Sequence, residues 1–319
     1  MIAGGDPGAD MAILVYTSAA SAARWRPHLA AALPGRDIRF WPELGEPAAI
    51  EYAIVWRPEP GLLASLPKLR LIVSLGAGVD HVLRDPSVPQ ALPLMRLVDP
   101  YMTRAMSEYV VLQVLRLHRQ DIDYLAQQRA GEWRQREQPN AEERTVGILG
   151  FGTLGQDAGR KLAALGFAVA GWSRSAKAVP GFASFAGAAG LAEIAARSDI
   201  LVSLLPATAA TENILDAALF ARLPRGAALV NAGRGNQLVE TDLVAALDSG
   251  QLSGAVLDVF RDEPLPASHP FWRHPRIVVT PHVAAETNPA TAAPIIARAI
   301  ADCAAGRPVA NLVDRARGY

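Results

Sequence analysis

Three side chains carry the chemistry that this chain can offer: a guanidinium, a carboxylate and an imidazole. Arg234, Glu263 and His282 follow short apolar runs, AALVNAGR, GAVLDVF (with RDE after it) and IVVTPH. All three lie downstream of Gly150-Phe151-Gly152-Thr153-Leu154-Gly155. Open parallel sheets bind ligands at the carboxyl ends of their strands. Three polar groups delivered there, behind a glycine loop, point to hydride transfer to or from a small carboxylated substrate. Reducing a 2-keto acid needs a proton donor at the carbonyl oxygen and a cation for the carboxylate and developing oxyanion. His282 can give the proton, and Glu263 can hold its imidazole in one tautomer. Arg234 can grip substrate with a forked, permanently charged group. Each alone has a structural reading, as a strand-end histidine or a helix-capping arginine, but their joint placement favours the catalytic one.

The glycine motif follows TVGILG and opens TLGQDAGRKLAALG, the strand-then-helix context that a dinucleotide loop requires. Gly150 permits the tight turn, Gly152 lets backbone approach a pyrophosphate, and Gly155 lets helix and strand pack closely. N–H groups at the helix start, with Thr153 and Leu154, are placed to meet phosphate oxygens. An NAD site usually carries an acid at the end of the next strand, for the ribose hydroxyls. Here that strand ends Trp172-Ser173-Arg174-Ser175, with Lys177 beyond and no acid. A guanidinium and two hydroxyls suit a 2′-phosphate, so NADP(H) is expected as the preferred cofactor and NAD(H) as the alternative.

The elements that must position these groups are legible as alternation. Strands are expected at 12–18, 38–41, 52–56, 69–76 and 92–98, with a helix between the first two, and a second series at 145–150, 167–173, 200–205, 227–231, 255–260 and 277–280. Such β-then-α order implies doubly wound parallel sheets. One long helix is expected over 103–130, a polar surface connection after it, and a final helix that packs back on the first domain. Lys plus Arg equals Asp plus Glu at 31 each, so no global field favours nucleic acid or a membrane surface. The single cysteine, Cys303, excludes an intramolecular disulfide and argues against a cysteine-built metal site, so no metal is expected. The start MIAGGDPGAD lacks the regions of a signal peptide and reads as a leader, with Met11 as an alternative start. No apolar run is long enough to span a bilayer, and a cytoplasmic protein is expected.

NAGRGNQLVE, GAVLDVFRDEPLP and VVTPHVA resemble the Arg, Glu and His segments of the D-isomer-specific 2-hydroxyacid dehydrogenases, and LLPATAATENIL resembles their segment beneath the nucleotide. More narrowly, GWSRSAKAVPG, SLGAGVDHVL, HPFWRHPRI and VDRARGY resemble the bacterial glyoxylate/hydroxypyruvate reductase A branch. The resemblance covers nearly the whole chain. It implies a Rossmann cofactor domain (102–284) inserted into a flavodoxin-like substrate domain (1–101 plus 285–319), with substrate in the cleft and closure excluding water. It implies NADPH-dependent reduction of glyoxylate and hydroxypyruvate, with Arg234 orienting substrate, His282 as acid/base and Glu263 as its partner. Asp258 would contact the nicotinamide carboxamide, or simply close a strand; Pro206, Thr211 and Ala232 would lie along the cofactor. Ala77 and Gly78 would offer backbone N–H groups to the substrate carboxylate, unless they form a plain β–α turn. Arg57 is a candidate second contact, and Trp41 and Trp56 either wall the pocket or belong to the core. His28, His81, His118, His269 and His274 match no catalytic position and read as structural or surface residues. A homodimer joined through the cofactor domains is implied, with the 103–130 helix as an arm. Two rivals stand beside this reading: the same fold acting on formate, phosphite or a bulkier keto acid, and a nucleotide-sensing regulator without turnover.

Overall fold

A computed structural model of the chain describes residues 11–318, so the leader read at residues 1–10 lies outside the described residues. The chain divides into two compact units, one running to Met102 and resuming at Glu286, the other Thr103–Ala285.

In the first unit the elements run β1 (Ala12–Tyr16), α1 (Ala19–Ala32), β2 (Asp37–Phe40), β3 (Ile50–Val55), β4 (Leu71–Ser74), α2 (Asp80–Leu83), β5 (Leu94–Met95) and a C-terminal helix, Pro289–Ala304. The five strands are parallel and ordered β2-β1-β3-β4-β5, the flavodoxin-like arrangement with its switch point between β1 and β3. Both faces are covered, so the strands read as unbroken apolar runs rather than alternating ones. Trp25 and Leu29 of α1 and Ala292 and Ile296 of the C-terminal helix pack on one face. Leu62, Leu63, Val79 and Val82 pack on the other. The run read at 92–98 supplies only a two-residue strand, Leu94–Met95.

The second unit contains α3 (Pro100–His118, which starts three residues before the division), α4 (Asp121–Ala130), β6 (Thr145–Leu149), α5 (Thr153–Ala164), β7 (Ala168–Ser173), β8 (Ala183–Ala186), α6 (Gly187–Arg197), β9 (Ile200–Ser203), α7 (Ala217–Phe220), β10 (Ala227–Asn231), α8 (Glu240–Asp248), β11 (Leu252–Leu257) and β12 (Ile277–Val279). Its seven strands are parallel in the order β12-β11-β10-β9-β6-β7-β8. That is the Rossmann order with one strand added beyond the sixth.

Two further expectations are corrected. The single helix over 103–130 is two helices, because Gln120 takes a left-handed conformation (φ 57°) between them. The Gln120 amide is held from outside the helix, accepting from Arg136 Nε at 2.6 Å and donating to the Glu137 carbonyl. Asp121 and Asp123 then open α4, where the helix dipole favours acids. The strand read at 255–260 runs instead from Leu252 to Leu257, so Asp258 lies just past its end. No helix of the described residues is long and apolar enough to cross a membrane.

Candidate active site

The glycine loop joins β6 to α5. Gly150 has φ 92°, and a Cβ there would lie 2.7 Å from the Leu204 carbonyl oxygen. A Cβ on Gly155 would lie 2.5 Å from the Gly150 carbonyl oxygen. These two glycines are therefore demanded by the protein's own packing. Gly152 differs: nothing lies within 4 Å of its notional Cβ. It is the N-cap of α5, and no side chain caps that helix. The helix start thus presents N–H groups beside open space, the arrangement that accommodates a pyrophosphate. At the end of β7, Ser173 is half-buried while Arg174, Ser175 and Lys177 are exposed, leaving hydroxyls and cations at the position where a ribose would be read.

Beyond β9, the Pro206 carbonyl accepts from Thr211 Oγ1 at 2.7 Å, which closes the turn around buried Thr211. At the end of β10, buried Asn231 builds the turn that carries Arg234. Its Oδ1 accepts from Gly233 N–H at 3.1 Å, and its Nδ2 donates to the Arg234 carbonyl at 3.3 Å. Arg234 Nη1 donates to the Gly233 carbonyl at 2.8 Å. The backbone N–H of buried Ala232 donates to the Ser203 carbonyl at 3.1 Å. One residue unforeseen from sequence holds these turns together. Gln237 is fully buried; its Oε1 accepts from Arg234 N–H and Ser203 Oγ, both at 3.2 Å, and its Nε2 donates to the Leu205 and Pro206 carbonyls at 2.9 and 3.1 Å. A polar residue in QLV before a helix gives little sequence signal of that role. Gly235 lies so close to the Phe260–Arg261 backbone that no Cβ fits, which sets the Arg234 turn flush against the loop leading to Glu263.

Glu263 and His282 are brought together. His282 Nδ1 and Glu263 Oε2 are 2.8 Å apart, and Glu263 Oε1 accepts from Phe260 N–H at 3.0 Å. With Nδ1–H given to the carboxylate, Nε2 is the nitrogen left to exchange a proton. The carboxylate side chain is 15% exposed and the imidazole 31%, so the acid is sheltered while the ring remains accessible.

The loop that carries His282 is strained and locked. His282 has φ 56°, a conformation costing roughly 1–2 kcal/mol for a non-glycine residue. Its N–H is shared between the Asp258 and Thr280 carbonyls at 2.9 and 3.0 Å. Buried Asp258 supplies the lock: Oδ1 accepts from Thr280 Oγ1 at 2.6 Å and Val283 N–H at 3.0 Å, and Oδ2 accepts from Ala284 N–H at 2.9 Å. Because the Thr280 hydroxyl gives its proton to Asp258, Tyr109 O–H must donate to Thr280 Oγ1, at 2.7 Å. Burial pushes the Tyr109 hydroxyl up and keeps it protonated. Burial also raises the Asp258 carboxyl, opposed by the bonds from Thr280, Val283 and Ala284. Asp258→Asn turns an amide N–H₂ towards donors, and an orphaned buried donor costs about 1–3 kcal/mol. The variant should melt several degrees lower and turn over at least about tenfold more slowly, measured by thermal unfolding and steady-state kinetics.

The predicted substrate contacts Ala77, Gly78 and Arg57 lie in the first unit. Ala77 and Gly78 occupy the turn between β4 and α2, where Ser74 Oγ donates to the Gly78 carbonyl at 2.8 Å. Arg57 follows β3 with φ 51°. Trp41 lies tilted against Tyr16 with ring centroids 5.3 Å apart, and Trp56 lies tilted against His81 at 4.7 Å. His118 is structural: it packs edge-on to Phe167 at 4.9 Å, and burial lowers its pKa. His269 and His274 pair with Glu240 and Asp248 at 3.3 and 3.5 Å, and His28 is exposed. His81 belongs with the turn holding Ala77 and Gly78, since its ring contacts Ser74.

Comparison with known proteins places this geometry. Residues 111–284 match the family described as D-isomer specific 2-hydroxyacid dehydrogenase, NAD binding domain. Glyoxylate/hydroxypyruvate reductase A of Serratia proteamaculans is 43% identical over 97% of this chain and 100% of its own length. The NADPH-dependent glyoxylate/hydroxypyruvate reductase of Sinorhizobium meliloti, solved with NADP and sulfate, superposes with a TM-score of 0.91 at 43% identity, covering 97% of this chain and 100% of its own. A D-isomer specific 2-hydroxyacid dehydrogenase from Xanthobacter autotrophicus Py2, solved with NADPH and MES, gives 0.91 at 42% identity, covering 96% and 99%. The chain belongs to the D-isomer-specific 2-hydroxyacid dehydrogenase family of NAD(P)-dependent oxidoreductases.

Proposed function

We propose that this protein reduces small 2-keto acids, glyoxylate to glycolate and hydroxypyruvate to D-glycerate, with NADPH preferred over NADH. The observation that carries the reading is the Glu263–His282 pair at 2.8 Å, set on a strained loop that Asp258 locks. Relatives named for these two substrates align over nearly the whole chain, and one of them is described as NADPH-dependent.

A reduced nicotinamide, when bound, supplies the hydride for the keto carbon. Gly150, Gly152 and Gly155, with the N–H groups of Thr153 and Leu154, would hold its pyrophosphate, and Ser173, Arg174 and Ser175 its 2′-phosphate. Pro206, Thr211 and Ala232 would line it. His282 Nε2 gives a proton to the substrate oxygen while Glu263 accepts from Nδ1–H and keeps the ring in place. Arg234 holds substrate in a forked contact and stabilises negative charge growing on the carbonyl oxygen. Both oxygens of Asp258 are engaged by the His282 loop, which supports its structural reading over a contact with the nicotinamide carboxamide. In the first unit, the N–H groups of Ala77 and Gly78, with Arg57, receive a substrate carboxylate. A cytoplasmic homodimer is part of this reading, with the exposed Leu112, Tyr124, Leu125 and Trp133 of α3, α4 and the following segment on its interface.

The test is oxidation of NADPH and of NADH by purified protein with a panel of small 2-keto acids, formate and phosphite. Turnover is expected with glyoxylate and hydroxypyruvate, faster with NADPH. Nucleotide binding without turnover of any substrate would favour the sensor reading instead. Arg174→Ala should lower the NADPH-to-NADH ratio of kcat/KM roughly 10–100-fold, the loss of one charge-assisted contact worth about 1.5–3 kcal/mol. An unchanged ratio would remove Arg174 from 2′-phosphate recognition.

A further inference from the structure

Arg57 stands at the carboxyl end of β3, beside the β1/β3 switch point, in a left-handed conformation (φ 51°) that a non-glycine residue adopts only when its surroundings impose it. Its backbone N–H donates to His81 Nδ1 at 3.2 Å. The other ring nitrogen of His81, Nε2, lies 3.0 Å from Ser74 Oγ. Proton bookkeeping then settles the tautomer. The Gly78 carbonyl can only accept, so Ser74 gives its one hydroxyl proton to it, at 2.8 Å. Ser74 Oγ also accepts from Gly76 N–H at 3.3 Å. It can meet His81 only as an acceptor, so Nε2 carries the proton and Nδ1 has the lone pair that Arg57 N–H uses. The Trp56 ring meets His81 at a tilt, with centroids 4.7 Å apart, and the Arg57 guanidinium carbon lies 5.9 Å from that indole. Gly76 is required because a Cβ there would lie 2.8 Å from Trp56 Cζ3.

We propose that His81, as its neutral Nε2-protonated tautomer, is a positioning residue that joins Arg57 to the Gly76–Gly78 turn in one carboxylate-recognising unit. The inference rests on the reading above that Arg57 and this turn receive the substrate carboxylate, and it assigns a role to a histidine that no catalytic position claims. One end of the imidazole fixes the backbone that launches Arg57. The other fixes, through Ser74, the turn whose N–H groups meet the same carboxylate. The Arg57 end matters more, because Ser74 keeps its bonds to Gly76 N–H and the Gly78 carbonyl without the ring, whereas the Arg57 N–H has the imidazole as its partner.

A double-mutant cycle on the full protein tests it, with glyoxylate and NADPH kinetics and thermal unfolding. Arg57→Ala should raise the KM for glyoxylate about tenfold, with kcat within about threefold and the KM for NADPH unchanged, the signature of lost substrate binding. His81→Ala should raise it several-fold, yet add less than about twofold in the Arg57→Ala background, because residues acting through one another are not additive. His81→Asn, whose Oδ1 can still accept from Arg57 N–H, should recover most of the loss. His81→Gln, which can keep only the contact with Ser74, should not. Multiplicative effects in the double variant, or equal behaviour of Asn and Gln, would overturn the proposal while leaving the substrate reading standing. A normal KM in Arg57→Ala alone would overturn both.

Discussion

His282→Gln is expected to lower keto-acid reduction by about 10²–10⁴-fold, the usual worth of a positioned general acid, while leaving the affinity for NADPH within twofold of normal. The argument is geometric. Glu263 accepts a hydrogen bond from Nδ1–H at 2.8 Å, so the nitrogen that the ring can offer to substrate is Nε2. Glutamine preserves polarity and much of the volume but has no protonated form that can give up a proton near neutral pH. The nucleotide loop around Gly150 and Gly155 is shaped by its own backbone contacts, with Leu204 and within itself, and neither involves His282. Cofactor affinity, read by fluorescence titration, should therefore survive. Turnover within tenfold of wild type would remove His282 from the chemical step.

Arg234→Ala is expected to lower kcat/KM for glyoxylate by about 10²–10³-fold, the loss of two charge-assisted hydrogen bonds of roughly 1.5–3 kcal/mol each, allowing for partial replacement by water. Arg234→Lys should recover only a small part, because an ammonium keeps the charge but not the fork. The surrounding turn should persist in both variants. It is built from the Asn231 and Gln237 side chains bonded to backbone groups of residues 233 and 234, which the substitutions leave in place. Thermal unfolding within a few degrees of wild type, alongside the kinetic loss, separates a substrate role from a structural one. Equal activity of the Lys variant and wild type would contradict forked binding.

The sheets were legible because strands covered on both faces must be apolar throughout, and both units are built that way. The nucleotide loop was legible because its three glycines fall within six residues, directly between a strand and a helix. The Arg, Glu and His segments could be named, but the device holding His282 could not. Asp258 reaches forward to Thr280, Val283 and Ala284, more than twenty positions on, and nothing at residue 258 announces those partners. The break at Gln120 escaped for the same reason, since its partners Arg136 and Glu137 lie in the connection after α4. β8 is a four-residue edge strand, Ala-Ser-Phe-Ala, half open to solvent and too weakly apolar to show a period. His81 read as a bland histidine because its role depends on which atom each ring nitrogen meets, and those atoms belong to Ser74 and Arg57.

The central claim is that this protein moves a hydride to the keto carbon of a small 2-keto acid. It is tested most directly by incubating the protein with glyoxylate and NADPH dideuterated at nicotinamide C4, then examining the product by mass spectrometry and NMR. The predicted result is glycolate with one deuterium on C2, formed in step with NADP, and none in the His282→Gln protein over the same interval. Bound NADPH that is never oxidised, or glycolate without deuterium at C2, would contradict the account.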